Sequence, residues 1–137
     1  MRKCRIYDKQ FKIIRDVKYI DFVNKQVAYY TDEIEGNEKW SNLDIVRNFN
    51  EVDIMSAIGL VDKNRKLIYE GDILNSTQKN YQGKCEVVWD YLNLQWKTIK
   101  ISDPSISKKL CNFKSKELEV VGNIYEDQEW RKKCLKT

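Results

Sequence analysis

The chain has 137 residues, 42% hydrophobic and 34% charged, with one Pro, five Gly, four Trp, eight Tyr and four Phe. That composition excludes a disordered or low-complexity polymer and provides enough apolar surface for one ordinary domain or two small ones. The net charge is +4, yet residues 1–130 hold 21 basic and 21 acidic groups, so the excess comes from Arg131, Lys132, Lys133 and Lys136.

From the N-terminus, KCRIYDKQFKII and VKYIDFVNKQVAYYTD are rich in Val, Ile, Tyr and Phe, broken by the polar DKQ and by Asn24-Lys25. They predict two or three antiparallel strands over residues 4–31. TDEIEGNEKWSNLDIVRNFNE is polar and acidic and reads as a loop, with a short helix starting near Ser41–Asp44 and stopped by Asn48 and Asn50. Ile58–Val61 and Leu67–Tyr69 flank the polar Asp62–Lys66 as a hairpin. Glu70-Gly71-Asp72 then precedes Ile73 and Leu74. A polar loop around Gly83 leads to CEVVWDYLNLQWKTIKI, a second hairpin with Cys85, Val87 and Trp89 in one phase and its turn near Asn93. Residues 102–116 form a linker or lid, ELEVVGNIYED a last strand and turn at Gly122, and EWRKKCLKT a tail. Strands of this spacing suggest a small barrel or two packed sheets, and no internal repeat is evident.

Glu70-Gly71-Asp72 poses the question of paired carboxylates. Gly71 between polar neighbours suits a tight turn, and Asp72 can accept a backbone N–H at the start of the next strand. Nothing nearby supplies the remainder of a catalytic site, so the segment reads as a turn. The chain contains no histidine, which removes the usual general base for Ser or Cys nucleophiles. Cys4, Cys85, Cys111 and Cys134 are scattered without a Cys-x-x-Cys pair, so they read as reduced thiols rather than zinc ligands. No catalytic residue, metal or cofactor is expected. MRKCRIYDKQFKIIRD lacks the apolar core of a secretory leader, and no segment is long and apolar enough to span a bilayer. The expectation is a cytoplasmic protein with no membrane partner.

GLVDKNRKLIYEGDIL resembles the signature GLKDKNGKEIYEGDI of the YopX-like proteins of bacteriophages and prophages. ELEVVGNIYEDQEW is similar to that family's ending, EVIGNIYENPEL, and RKCRIYDKQFKII to its start. The resemblance implies a largely β phage product with a barrel-like C-terminal half, located in the bacterial host cytoplasm, and it carries over no catalytic residues. It marks Gly59, Asp62, Asn64, Tyr69, Glu70, Gly71, Asp72, Gly122, Asn123, Tyr125 and Glu126 as structural positions. Arg65 departs from the family's Gly, and Asn64 is then expected to take the left-handed conformation in a longer loop. The fold expected is mainly β (α+β at most). Residues 1–56 form a β-rich N-terminal part packed on a small SH3-like, barrel-like β domain at 57–127, and 128–137 form a basic tail.

Three surfaces are candidates for binding. Trp89, Tyr91 and Trp96, with Lys84, Lys97 and Lys100, could stack bases beside cations, or else fill the core with the lysines solvated. Arg131, Lys132 and Lys133 could touch phosphate, or be a solubilising end. Asp32, Glu33, Glu35 and Glu38 could dock a basic partner, or be an ordinary solvated loop. The expected function is non-enzymatic binding of a host or phage protein, with homo-oligomerisation and nucleic-acid binding as the alternatives.

Overall fold

The computed structural model describes residues 3–30 and 44–126. The chain divides into two compact units, Met1–Ser56 and Ala57–Thr137.

In the first unit the strands are β1 (Cys4–Asp8), β2 (Ile13–Asp21), β3 (Gln26–Tyr30), β4 (Asp44–Asn48) and the start of β5 (Val52–Val61). They lie antiparallel in the order β4-β3-β2-β1-β5. Ile6, Val27, Tyr29 and Val52 form the core, with Ile13, Val17, Ile20, Ile45 and Ile54 packed on it. The helix expected near residue 44 is instead strand β4, paired to β3 through Ala28↔Val46 and Tyr29↔Ile45. The reason is the β-branched Ile45-Val46 pair: Ile45 reaches the core while Val46 stays 46% exposed, a period of two. The chain then makes only a single 3-10 turn, Phe49–Glu51, with the Asn48 N–H donating to Glu51 Oε1 at 2.9 Å.

The four-residue turns after Asp8, Asp21 and Asp90 share one design. Each Asp carboxylate accepts the N–H groups two and three residues on: Gln10 and Phe11, Val23 and Asn24, Leu92 and Asn93. Each turn ends on a left-handed residue that is not Gly, at Lys12 (φ 57), Lys25 (φ 55) and Leu94 (φ 53). An Asp at the strand end gives the turn its acceptors, and the left-handed residue returns the chain to the sheet twist. The recurrence shows as D-x-x-N-x-Q at residues 21–26 and 90–95, a local likeness too short to be an internal repeat.

In the second unit the last half of β5 pairs with β6 (Leu67–Tyr69) through Ala57↔Tyr69 and Val61↔Leu67, and the register shifts between these pairs. Gly59, at φ +84, lies at that irregularity. Strands β7 (Asp72–Gln78), β8 (Tyr81–Asp90), β9 (Gln95–Lys100), β10 (Ser107–Lys109) and β11 (Leu118–Asn123) form an antiparallel sheet in the order β10-β9-β8-β7-β11. Two expectations need correction here. Gly83 lies within β8, because the chain already reverses at Lys79-Asn80. The 102–116 segment is more than a linker: it holds β10 and the 3-10 turns Leu110–Asn112 and Ser115–Glu117, with Leu110 buried in the core. Ile68, Leu74, Tyr81, Cys85, Val87 and Leu118 complete that core. The protein is mainly β, as the sequence predicts.

Candidate functional site

Two sequence motifs fifty residues apart meet at Gly71. Glu70-Gly71 is the turn between β6 and β7, and Asp72 accepts the Tyr69 N–H at 2.8 Å, which closes it. The Gly71 N–H donates to the Val87 carbonyl and its own carbonyl accepts the Ile124 N–H, both at 3.0 Å. Beyond β11 the Asn123 side chain accepts the N–H groups of Tyr125 and Glu126, at 3.0 and 2.7 Å, and turns the chain back. The Tyr125 ring thereby lies over Gly71, where a Cβ would stand 2.7 Å from Tyr125 Cε2. Gly71 is also at φ +86, so the turn requires glycine both for its conformation and for this close approach.

A cleft of about 270 Å³ opens beside this junction, lined by Glu70, Glu86, Trp89, Tyr91, Ile124 and Tyr125. It forms because the β7–β8 ladder ends at Ile73↔Glu86 while β8 continues to Asp90. Trp89 stands directly opposite Trp96 across β8–β9, their rings edge to face at 5.0 Å. Both are half-buried on the face that carries Cys85 and Val87, and Trp96 packs against the core. Tyr91 is at the hairpin tip, 80% exposed, beside Leu92 (93%) and Leu94 (73%). Sequence reasoning missed Leu92 and Leu94; their signal was two leucines in a turn whose geometry needs no apolar side chain.

The electrostatics favour cations. Among the described residues, Glu70 and Glu86 line the cleft and no lysine or arginine does. Burial lifts the Glu70 carboxyl above its ordinary value. The lysines expected to stand beside the aromatic surface have other contacts: Lys84 donates to Asn75 at 3.1 Å, Lys97 is 3.8 Å from Asp90, and Lys100 stands over the Tyr81 ring. Cys85 is fully buried, and burial pushes its thiol up to about 11, which disfavours a nucleophilic thiolate.

The other marked positions are structural in their contacts. Asp62, 2% exposed, accepts the N–H groups of Asn64, Lys66 and Val120, each at 2.9 Å. Burial alone would raise its carboxyl; these donors outweigh that and hold it below the usual range. Arg65, not Asn64, takes the left-handed conformation, at φ 64. This corrects the sequence expectation: Asp62 binds the N–H groups on both sides of position 65, and that leaves the reversal to Arg65 itself. Tyr69 is buried, and Gly122 follows a register shift in β11. Arg131, Lys132 and Lys133, and the acidic Asp32, Glu33, Glu35 and Glu38, lie outside the described residues. Among the described residues no group of three metal-ligating side chains converges, and no helix is long and apolar enough to cross a membrane.

The sequence profile of the family described as YopX protein matches residues 3–130. The fold is similar to the crystal structure of protein EF1440 from Enterococcus faecalis, at 22% identity and a TM-score of 0.53, covering 94% of this chain and 96% of that one. It is also similar to the crystal structure of protein yopX from Bacillus subtilis, at 13% identity and a TM-score of 0.58, covering 93% and 96%. No curated protein matches.

Proposed function

We propose a role in binding, and the premise is that the chain belongs to the YopX protein family. The protein is a phage- or prophage-encoded, non-enzymatic interaction protein of the host cytoplasm, and it engages another protein. The observation that carries this reading is an exposed apolar hairpin tip, Tyr91, Leu92 and Leu94, of which Tyr91 also lines the Gly71 cleft. Large apolar side chains left in water at a turn do nothing for that turn, and they supply the anchor contacts of a protein interface. The histidine-free sequence and the buried Cys85 thiol support a non-catalytic role.

Host-lysate capture with wild-type protein and with a Tyr91→Ser/Leu92→Ser variant tests it. A specific protein retained by the wild type and lost by the variant, with melting temperature unchanged, is the expected result. Equal capture by both would overturn the assignment of the tip.

Nucleic-acid binding through Trp89 and Trp96 is the weaker reading, because the two rings pack on each other and two carboxylates line the adjoining cleft. Fluorescence anisotropy with single-stranded DNA and RNA decides it: binding that survives about 200 mM salt and falls on Trp96→Ala would move it to first place.

A further inference from the structure

We propose that the cleft at Gly71 receives a cationic side chain, lysine or arginine, from a separate protein; the inference rests on the binding reading above. Glu70 is the first ground. It is half-buried against the cleft, and it makes no hydrogen bond or ion pair with the described residues. A carboxylate in that position has lost part of its hydration without gaining a protein donor, and burial lifts its pKa accordingly. A guanidinium or ammonium group from outside supplies the missing donor.

The aromatic walls are the second ground. Trp89 and Tyr91 line the same space as Glu70, and Trp96 steadies the Trp89 ring from the side. Aromatic faces attract cations, most strongly for Trp and where water is partly excluded. The charge balance is the third. Among the described residues Glu70 lines the cleft and no lysine or arginine does, so a cation meets no like charge there, whereas a phosphate or carboxylate would meet the Glu70 carboxylate.

The geometry also suggests what flanks the basic residue. Leu92 and Leu94 stand almost wholly in solvent on the hairpin that carries Tyr91, a ledge for apolar neighbours of the incoming cation. The floor is fixed, because Tyr125 lies against Gly71 with no room for a Cβ. The ligand is therefore a basic residue of the partner flanked by apolar ones.

The test titrates 15N-labelled protein with capped Leu-Arg-Leu, Leu-Lys-Leu and Leu-norleucine-Leu peptides, following amide shifts. The expected result is movement of Glu70, Gly71, Trp89 and Tyr91, with the cationic peptides bound at least fivefold more tightly than the neutral one. Glu70→Gln should bring all three to the neutral peptide's level without altering the melting temperature. No shift at these amides at millimolar peptide, or an unchanged preference in Glu70→Gln, would overturn the proposal. Equal binding of all three peptides at Tyr91 and Leu92 would overturn the cation preference alone and leave the binding reading in place. Lysate capture indifferent to the tip variant would overturn the binding reading itself.

Discussion

The Tyr29 hydroxyl donates to Asp8 Oδ2 at 2.6 Å, both side chains essentially excluded from solvent, and joins β3 to the end of β1. Arg47 of β4 reaches the same oxygen at 2.9 Å. Burial alone would raise the Asp8 carboxyl, but Tyr29, Arg47 and the N–H groups of Phe11 and Gln10 outweigh it and hold it below its ordinary value. Burial and the Asp8 charge raise the Tyr29 phenol to about 12. Its folded value thus exceeds the unfolded 10.0, so its stabilisation is complete below pH 10 and is lost as pH rises from 10 toward 12. Urea unfolding of wild type and Tyr29→Phe should show a wild-type advantage of roughly 1–3 kcal/mol at neutral pH. That advantage should shrink steadily above pH 10; a gap that stays constant would contradict the coupling.

Asp62 binds three N–H groups, one of them on a strand 58 residues away. Asp62→Asn turns an amide NH₂ toward at least one of these donors, and should cost roughly 2–4 kcal/mol in urea unfolding. The carboxyl is depressed in the fold, so its contribution is present above the unfolded value of 3.8 and vanishes as pH falls through the lower folded one. The variant should therefore lose less stability than wild type on acidification. A difference of a few tenths of a kcal/mol at pH 7 would show that other contacts hold β11.

At position 65 an exposed arginine holds a left-handed conformation at φ 64. Arg65→Gly removes that strain, of about 1 kcal/mol, partly offset by a more flexible unfolded chain. A melting temperature raised by a few degrees is expected, and a clear fall would reject this description of the loop.

Gly71→Ala meets two obstacles, the positive φ and the Tyr125 ring. We expect a loss of roughly 2–3 kcal/mol by urea unfolding. In a Tyr125→Ala background only the conformational part remains, so the same change should cost distinctly less. Additive losses would mean that the ring does not constrain the turn.

Most strands were legible because they end in recognisable turn chemistry. Asp8 and Asp62 fall in polar turns that the sequence shows. The turns at Asn24-Lys25 and Asn93 are where the structure has them, with Asp21 and Asp90 as acceptors that the sequence reading did not single out. The β-branched and aromatic runs between these turns became strands. Ile45-Val46 was misread because its amphipathic period is too short to separate helix from strand, and pairing with β3 decided it. The cleft was illegible for a different reason. Trp89 and Tyr91 could be named as candidates, and Glu70, Gly71 and Tyr125 as motif positions, but nothing local connects residue 70 to residue 125. The β7–β11 pairing, which sets Asn123 opposite Asp72, and the Ile124 backbone hydrogen bond to Gly71 bring them together. The buried face of the β8–β9 hairpin was equally hidden, since Val87 and Val88 are both apolar and alternation alone cannot rank them. The complete burial of Cys85 and Val87, with Val88 only half-buried, settles that face.

The Asp62–Val120 link has a kinetic consequence. The β5–β6, β7–β8 and β8–β9 pairings join neighbours in the chain, whereas β7–β11 and the Asp62 bond close a long loop. Loop-closure entropy makes such contacts late ones, so the hairpins should assemble first and β11 should dock after the rate-limiting barrier. Asp62→Asn would then leave the refolding rate nearly unchanged and accelerate unfolding instead. The strand added last would set how long the second unit stays folded, and hardly how fast it forms.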